Sequence, residues 1–533
     1  MKATGMKEVG MMLLSQAAQA LGARLIGEDV RFVAVSSDSR NIQLGDLFIA
    51  LRGEKFDGYE FVARAAQDGA VAALINADSY AAHPPLASSP YPPVLVVEDT
   101  RIALGQLAAY WRNQFDIPLV AVTGSNGKTT VKEMLASILR AAAGREEGVL
   151  ATQGNFNNDI GMPLTLLKLN AQHRYAVIEM GMNHPGEIDY LTRIACPDVA
   201  LITNASGAHL EGLGSVEAVA RAKGEIFAGL KHHGSAVINA DDDHAPLWRT
   251  LAGSHTLLEF GLGGMTRCAQ ASGAGMPPPR LLPQSAGSAI TSDLASVVGS
   301  PSRMASSSIS NVSEADQPAD VAGQWQPQGA GLHLNAQTPS GNFGADLQVP
   351  GAHNARNALA ATAAAIALNV PLEIIVAGLE KFGGVAGRLQ RKAARHGAVL
   401  IDDTYNANPA SMRAAIGVLA QSNAEKPGAK RVLVIGDMGE LGDNAAALHT
   451  EIGSEVRRAG IEKLYALGAL SANAVREFGS GARHFERLED LQDALELELD
   501  ADTTVLVKGS RFMKMERVVA FCASEQEAQC CSH

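Results

Sequence analysis

The octapeptide Thr123-Gly124-Ser125-Asn126-Gly127-Lys128-Thr129-Thr130 constrains this chain more than any other stretch, because it stands between the apolar run Leu119-Val120-Ala121-Val122 and a helical pattern. Strand, glycine loop and helix in that order form a phosphate-binding loop. Gly124 and Gly127 let the backbone turn with N–H groups facing inward, the helix beginning near Lys128 adds the positive end of its dipole, and Lys128 supplies a full charge. Ser125, Asn126 and Thr130 complete a stretch that fits a nucleoside triphosphate, and Thr129 stands where a P-loop hydroxyl ligates Mg²⁺. Val131, Met134, Leu135, Ile138 and Leu139 recur at i, i+3, i+4, i+7 and i+8, which predicts one buried helix face. The general pattern asks for glycine five residues before its second glycine, where this chain has Val122, so the loop is a shortened variant. The alternative is a glycine-rich turn carrying a solvated lysine.

A chain of 533 residues exceeds one ordinary core and suggests three domains. Hydrophobic residues at 47% and charged ones at 19% are a globular composition, and the net charge of -12 argues against general nucleic-acid binding. An anionic substrate then needs local cationic pockets. The five cysteines include Cys522, Cys530 and Cys531 near the C-terminus, without paired metal-ligand spacing, which fits reduced thiols in a cytosol. The run from 11 to 14 is too short for a signal-peptide core and no segment approaches a membrane span, so a cytoplasmic protein is expected. Met1 and Met6 both remain as starts, and a monomer is the expected state.

Short apolar runs at 71 to 75 and 94 to 97 alternate with helical patterns such as 59 to 67, which predicts a small α/β domain over 1–98. A helix over 100 to 115 leads to the P-loop strand. Further strands at 175 to 180, 199 to 203 and 236 to 239, with a helix over 216 to 227, imply a parallel sheet in a central domain over 99–384. Open parallel sheets bind ligands beyond the carboxyl ends of their strands, where Thr123, Glu179 and Thr203 fall. Residues 263 to 330 are dominated by Ser, Ala, Gly and Pro without a persistent period, so a disordered insertion is expected there. Alternation at Leu332, Leu334, Ala336 and at Phe343, Ala345, Leu347, Val349 predicts a hairpin, followed by an Ala-rich helix over 354 to 368. After the hinge-like Gly383-Gly384-Val385-Ala386-Gly387, strands at 399 to 401, 432 to 435, 464 to 467 and 504 to 507 predict a third, Rossmann-like α/β domain over 385–533 with a flexible tail.

Around the loop, Glu179 is a metal ligand or merely a strand-end carboxylate, His209 a ligand or a loop histidine, and Lys223 a site residue or a solvated helix lysine. All three follow predicted strands beside the P-loop. Together with Thr129 they can hold two Mg²⁺ ions, which would neutralise charge in phosphoryl transfer. In order along the chain, TGSNGKTT, GNFNNDIG (154 to 161), IEMG (178 to 181), AHLEGLGS (208 to 215), AKGEIF (222 to 227) and GAHNARN (351 to 357) resemble the motifs of the Mur ligases. DDTYNANPASM (402 to 412), GDMGELG (436 to 442) and KGSRFMKME (508 to 516) are similar to the branch of that family that adds D-alanyl-D-alanine. The resemblance spans nearly the whole chain except 263 to 330.

The resemblance implies three α/β domains and an ADP-forming ligase that joins D-alanyl-D-alanine to UDP-N-acetylmuramoyl-tripeptide in cytoplasmic peptidoglycan precursor synthesis. ATP is needed because a carboxylate resists amine attack until phosphorylation provides a leaving group. Lys128 would stabilise the transferring phosphoryl group, and Thr129 and Glu179 would place the first Mg²⁺. A carbamylated Lys223, beside His209, would hold the second; only a neutral amine takes up CO₂, so burial must depress that lysine. Asn354 and Asn357 are expected near the base, Arg388 and Asp403 over the phosphates and ribose with Asp402 as the alternative to Asp403, and Asn155 and Asn158 among the substrate-binding residues. In SSDSR (36 to 40), Ser39 and Arg40 either bind the uridine diphosphate or form an Asp-Ser-Arg turn with a surface ion pair.

Rival readings have their own signatures. The ligase adding the third peptide residue is expected to carry Asn-Pro-Arg, whereas Asn408-Pro409 continues as Ala410-Ser411; folylpolyglutamate synthetase typically has Gly where this chain has Thr129. A P-loop switch or motor would have no use for separate uridine-binding and amine-binding domains. Gly436, Gly439 and Gly442 lack the spacing of a dinucleotide fingerprint.

Overall fold

Runs such as Leu119–Thr123 (LVAVT) and Val199–Ile202 (VALI) are buried at every position, as parallel strands must be when helices cover both faces of a sheet. The computed structural model describes residues 10–53, 56–84, 91–207, 210–263, 319–422 and 428–524. Three α/β units follow one another, each built on its own sheet.

The central sheet orders nine strands as Gly341–Leu347, Gly331–Thr338, Val321–Gln328, Thr256–Leu262, Ser235–Asn239, Val199–Ile202, Leu119–Thr123, Tyr175–Glu179 and Val149–Ala151. Neighbours run parallel except at the two pairs formed by the first three strands. The P-loop strand sits between the strands ending at Glu179 and Ile202, with Val122 opposite Glu179 and Thr123 opposite Ile202. That register delivers Thr123, Glu179 and Thr203 to one edge, as the alternation of strands and helices predicts. Helix Lys128–Ala143 starts after Gly127 and ends at Gly144, both with positive φ, and buries Val131, Met134, Leu135, Ile138 and Leu139. Beside it the Ala-rich helix Ala352–Ala367 lies on the sheet, its small side chains permitting close approach.

The expectation of a disordered insertion over 263 to 330 is corrected at its C-terminal end. Val321–Gln328 is a strand, parallel to Thr256–Leu262 and antiparallel to Gly331–Thr338, with Val321 and Ala322 buried. Its polar composition hid it; the two neighbouring strands satisfy its backbone and supply the pairing. Residues 264–318 lie outside the described residues, as do the tail from 525, Cys530, Cys531 and the two candidate starts.

The N-terminal sheet orders Arg24–Ile26, Val94–Val97, Ala72–Asn76, Asp46–Ile49 and Ala34–Ser36, and its core is continuous with that of the central unit through Leu104 and Leu107 of helix Thr100–Arg112. The C-terminal sheet orders Gln390–Ala393, Val399–Asp403, Thr503–Lys508, Lys430–Gly436, Lys463–Leu467 and Ala482–Phe485, antiparallel only at its first pair. Among the described residues no helix is long and apolar enough to cross a membrane.

Candidate active site

Two glycines and a polar segment shape the loop. Gly124 has φ +148° and Gly127 φ +83°, conformations that a side chain would strain. The segment after strand Val199–Ile202 then staples the loop: Ser125 N–H donates to Asn204 O (2.9 Å), Asn126 N–H to Asn204 Oδ1 (3.0 Å), and Thr203 Oγ1 to Asn126 O (2.6 Å). Asn126 Nδ2 also donates to Ser206 Oγ at 2.9 Å. Two loop amides are therefore spent inside the protein. What faces a phosphate is the first turn of helix Lys128–Ala143, whose leading N–H groups have no intrahelical partner.

Lys128 folds back over the loop, its Nζ donating to Gly124 O at 2.6 Å and Ser125 O at 3.4 Å. Burial lowers its pKa, Glu179 opposes that, and Arg388 adds to it. Thr129 Oγ1 donates to Glu179 Oε2 (2.9 Å), and Asn157 Nδ2 donates to Glu179 Oε1 (2.9 Å). Thr129 and Glu179 are both buried. A hydroxyl and a carboxylate in contact, at the mouth of a phosphate loop, form the oxygen donor set that suits Mg²⁺, which usually takes one or two carboxylates plus substrate phosphates and water. No group of three His, Cys, Asp or Glu side chains that could hold a metal ion occurs among the described residues.

Lys223 is 1% exposed, buried near the end of helix Val216–Gly224. Burial, reinforced by the nearby Lys128 charge, pushes its pKa well below the usual lysine value. A shift in that direction favours the neutral, nucleophilic form over the ammonium. His209, the expected neighbour, lies outside the described residues.

The C-terminal unit reaches into this edge. Arg388 follows Gly387 (φ +70°), and its Nη2 donates to Thr129 Oγ1 at 2.9 Å while its guanidinium lies 4.2 Å from the centre of the Tyr405 ring. Its Nε is buried without a partner among the described residues. Asn408 Nδ2 donates to Asn126 Oδ1 at 2.8 Å, a second tie across the same junction. Of the two aspartates, Asp403 pairs with Lys508 (2.6 Å) and accepts from Leu389 N–H, whereas Asp402 turns to Lys392 (2.8 Å) and Thr404. Burial raises the Asp403 pKa against the pull of Lys508 and Arg388. Asn357 abuts Gly127, where a Cβ would stand 2.5 Å from its Oδ1, and its Nδ2 donates to Asn354 Oδ1 at 3.3 Å. Asn354 is anchored in turn on Pro350 O at 2.8 Å.

Other expected residues are less committed. Asn158 Oδ1 accepts from Gly161 N–H at 2.8 Å and starts a helix, and Asn155 is exposed; it is Asn157 of that motif that reaches Glu179. Arg40 forks onto Asp38 at 2.8 and 2.9 Å, holding the Asp38 carboxyl down at about 2, which is the surface ion pair of an Asp-Ser-Arg turn. Ser39 is half-buried, and both residues belong to the N-terminal unit, away from the P-loop in sequence. Asn157, Asn204, Ser206 and Asn408 were not among the expected site residues, although Asn157 and Asn408 lie in motifs that carry the family resemblance. Asn204 alone carried a positional signal, one residue beyond Thr203 at a strand's carboxyl end.

Three family profiles match the chain: "Mur ligase family, catalytic domain" over 31–112, "Mur ligase middle domain" over 122–272, and "Mur ligase, glutamate ligase domain" over 387–511. The chain is 39% identical over 511 residues to the UDP-N-acetylmuramoyl-tripeptide–D-alanyl-D-alanine ligase of Haemophilus influenzae, covering 95% of this chain and 96% of that protein. With the ligase of the same name from Escherichia coli it shares 38% over 508 residues, covering 95% and 97%. A crystal structure of MurF from Acinetobacter baumannii superimposes with a TM-score of 0.77 at 34% identity, covering 96% of this chain and 99% of that one.

Proposed function

The chain belongs to the Mur ligase family, and we propose on that premise that it joins D-alanyl-D-alanine to UDP-N-acetylmuramoyl-tripeptide, forming ADP and phosphate, in peptidoglycan precursor synthesis. The observation that carries the reading is Thr129, a P-loop hydroxyl bonded at once to Glu179 of its own sheet and to Arg388 of the next domain. A phosphoryl group seated there is enclosed by cations from two domains, and enclosure of that kind is what phosphoryl transfer requires. The tripeptide carboxylate attacks the γ-phosphorus, the bond to the β,γ-bridging oxygen breaks, and ADP leaves as the acyl phosphate forms. The amine of D-alanyl-D-alanine then attacks the carbonyl carbon, the C–N bond forms, and phosphate leaves.

In this reading residues 1–98 bind the UDP end through Ser39 and Arg40, 99–384 bind ATP, and 385–533 bring the amine, with Asn155 and Asn158 at the peptide. Gly124, Ser125, Asn126, Gly127, Lys128, Thr129 and Thr130 hold the phosphates; Asn354 and Asn357 meet the base, and Arg388 and Asp403 close over phosphates and ribose. Thr129 and Glu179 would hold one Mg²⁺, which supplies charge neutralisation when bound. Lys223 carries a carbamate that, with His209, would hold a second. The depressed pKa of Lys223 and its burial support that assignment. A reaction fed by ATP and a UDP-linked sugar belongs in the cytoplasm. The test is phosphate release by the purified protein with ATP and Mg²⁺: release should require both D-alanyl-D-alanine and the UDP-tripeptide. Release with either one alone refutes the reading.

A further inference from the structure

Helix Lys128–Ala143 carries a second lysine, one turn beyond Lys128, that the chemistry above does not use. Lys132 is 1% exposed, yet its Nζ is not idle: it donates to Thr152 O at 2.6 Å and pairs with Glu133. Burying an ammonium is costly, and a leucine would fill the same volume beside Val131 and Leu135. What only a long cation provides at this place is a bond to the Thr152 carbonyl.

Thr152 itself is 1% exposed and directly follows the strand Val149–Ala151, which among the described residues pairs in the sheet with Tyr175–Glu179 alone. Its Oγ1 accepts from the Glu179 N–H at 2.9 Å, and its own N–H donates to Val177 O at 3.1 Å. Thr152 also roots the loop that leads to Asn157, whose Nδ2 holds Glu179 Oε1 and whose carbonyl accepts from Gly181 N–H at 2.8 Å. Glu179 is thus fixed at its backbone by Thr152, at one oxygen by Asn157 and at the other by Thr129. Two of those three supports follow the strand that ends the sheet order among the described residues.

We propose that Lys132 is a positioning residue for the carboxylate of Glu179, acting through Thr152 by clamping the root of the 152–157 loop to the P-loop helix. The proposal rests on the reading of Glu179 as a Mg²⁺ ligand. Groups bonded directly to a metal ligand typically change metal affinity by about 10–100-fold when removed, and Lys132, one bond further out, should act at the lower end of that range. Lys132→Met should therefore raise the Mg²⁺ concentration for half-maximal phosphate release by about tenfold, leave the KM for D-alanyl-D-alanine unchanged, and shrink the rise in Tm that MgCl₂ adds to the ADP-bound protein. Lys132→Arg should restore much of both. Thr152→Val, which keeps the carbonyl but deletes the hydroxyl under Glu179 N–H, should act in the same direction, and it decides the question if Lys132→Met does not fold.

A merely structural lysine predicts something else: a lower Tm in Lys132→Met, with the Mg²⁺ requirement and the Mg²⁺-dependent Tm increment as in the wild type in both variants. That result overturns the proposal. Glu179→Gln separates the two ways of failing. An unchanged Mg²⁺ requirement in Glu179→Gln overturns the metal role and the positioning role together, whereas a raised requirement there beside wild-type behaviour in the other two variants overturns the positioning role alone.

Discussion

Replacing Gly124 by alanine should cripple the phosphate site while leaving a folded protein. At φ +148° an alanine carries backbone strain of about 1–3 kcal/mol. Its Cβ would stand 1.8 Å from Thr203 Oγ1 and 3.0 Å from Thr203 Cβ, and Thr203 is 2% exposed, so it has no open space to swing into. Turning the hydroxyl away breaks its 2.6 Å bond to Asn126 O, a loss of about 0.5–1.5 kcal/mol. With crowding included, and because these terms overlap, the total is about 2–5 kcal/mol. A domain of this size loses about 2–4 °C of Tm per kcal/mol. Catalysis should fall further, because the loop shift re-aims the helix N–H groups and Lys128, and losing a single such donor costs about 10²–10³ in rate. Phosphate release and a thermal melt, each with and without ADP, measure the two effects separately. Thr203→Ala in the same background removes the colliding oxygen and should recover part of the stability, leaving the φ strain. A Gly124→Ala protein with turnover within threefold of wild type, or a double variant no more stable than the single, would refute the steric argument.

Lys223→Ala should be inactive and partly rescued by short-chain carboxylic acids, whose oxygens replace those of a carbamate; full activity in the unsupplemented variant would remove that role. Arg388→Met should reduce phosphate release by about 10² or more and lower Tm by several degrees, since it gives up stacking on Tyr405 worth about 0.5–2 kcal/mol and one hydrogen bond worth about 0.5–1.5 kcal/mol. Exchanging residues 264–318 for a Gly-Ser linker of about a dozen residues should preserve both the cooperative melt and ligation, because loop closure costs about 0.6 kcal/mol per doubling of length. Extending that deletion to 263–330 should break the central sheet, since it removes Val321–Gln328 from between its two neighbours. Equal melting of the two deletion variants would show that the strand contributes nothing.

The sequence by itself determined the elements whose signal is local and periodic. The apolar run at 119 to 122, the glycines at 124 and 127 and the i, i+3, i+4 spacing after Lys128 are each readable within a few residues, and the strand, loop and helix lie where that pattern puts them. The same holds for the hairpin Gly331–Thr338 with Gly341–Leu347, whose alternation has a period of two. Tertiary structure alone decided the contacts that turn these elements into a site. Asn204 meets Asn126 across 78 residues, Asn157 meets Glu179 across 22, Lys132 meets Thr152 across 20, and Arg388 meets Thr129 across 259. A polar side chain gives no periodic signal, and whether it faces water or a partner depends on which strand ends the sheet brings together. The strand Val321–Gln328 shows the same limit for the backbone: its own residues are too polar and Gly- and Pro-containing to declare it, and it exists because strands on both sides offer their N–H and C=O groups to it.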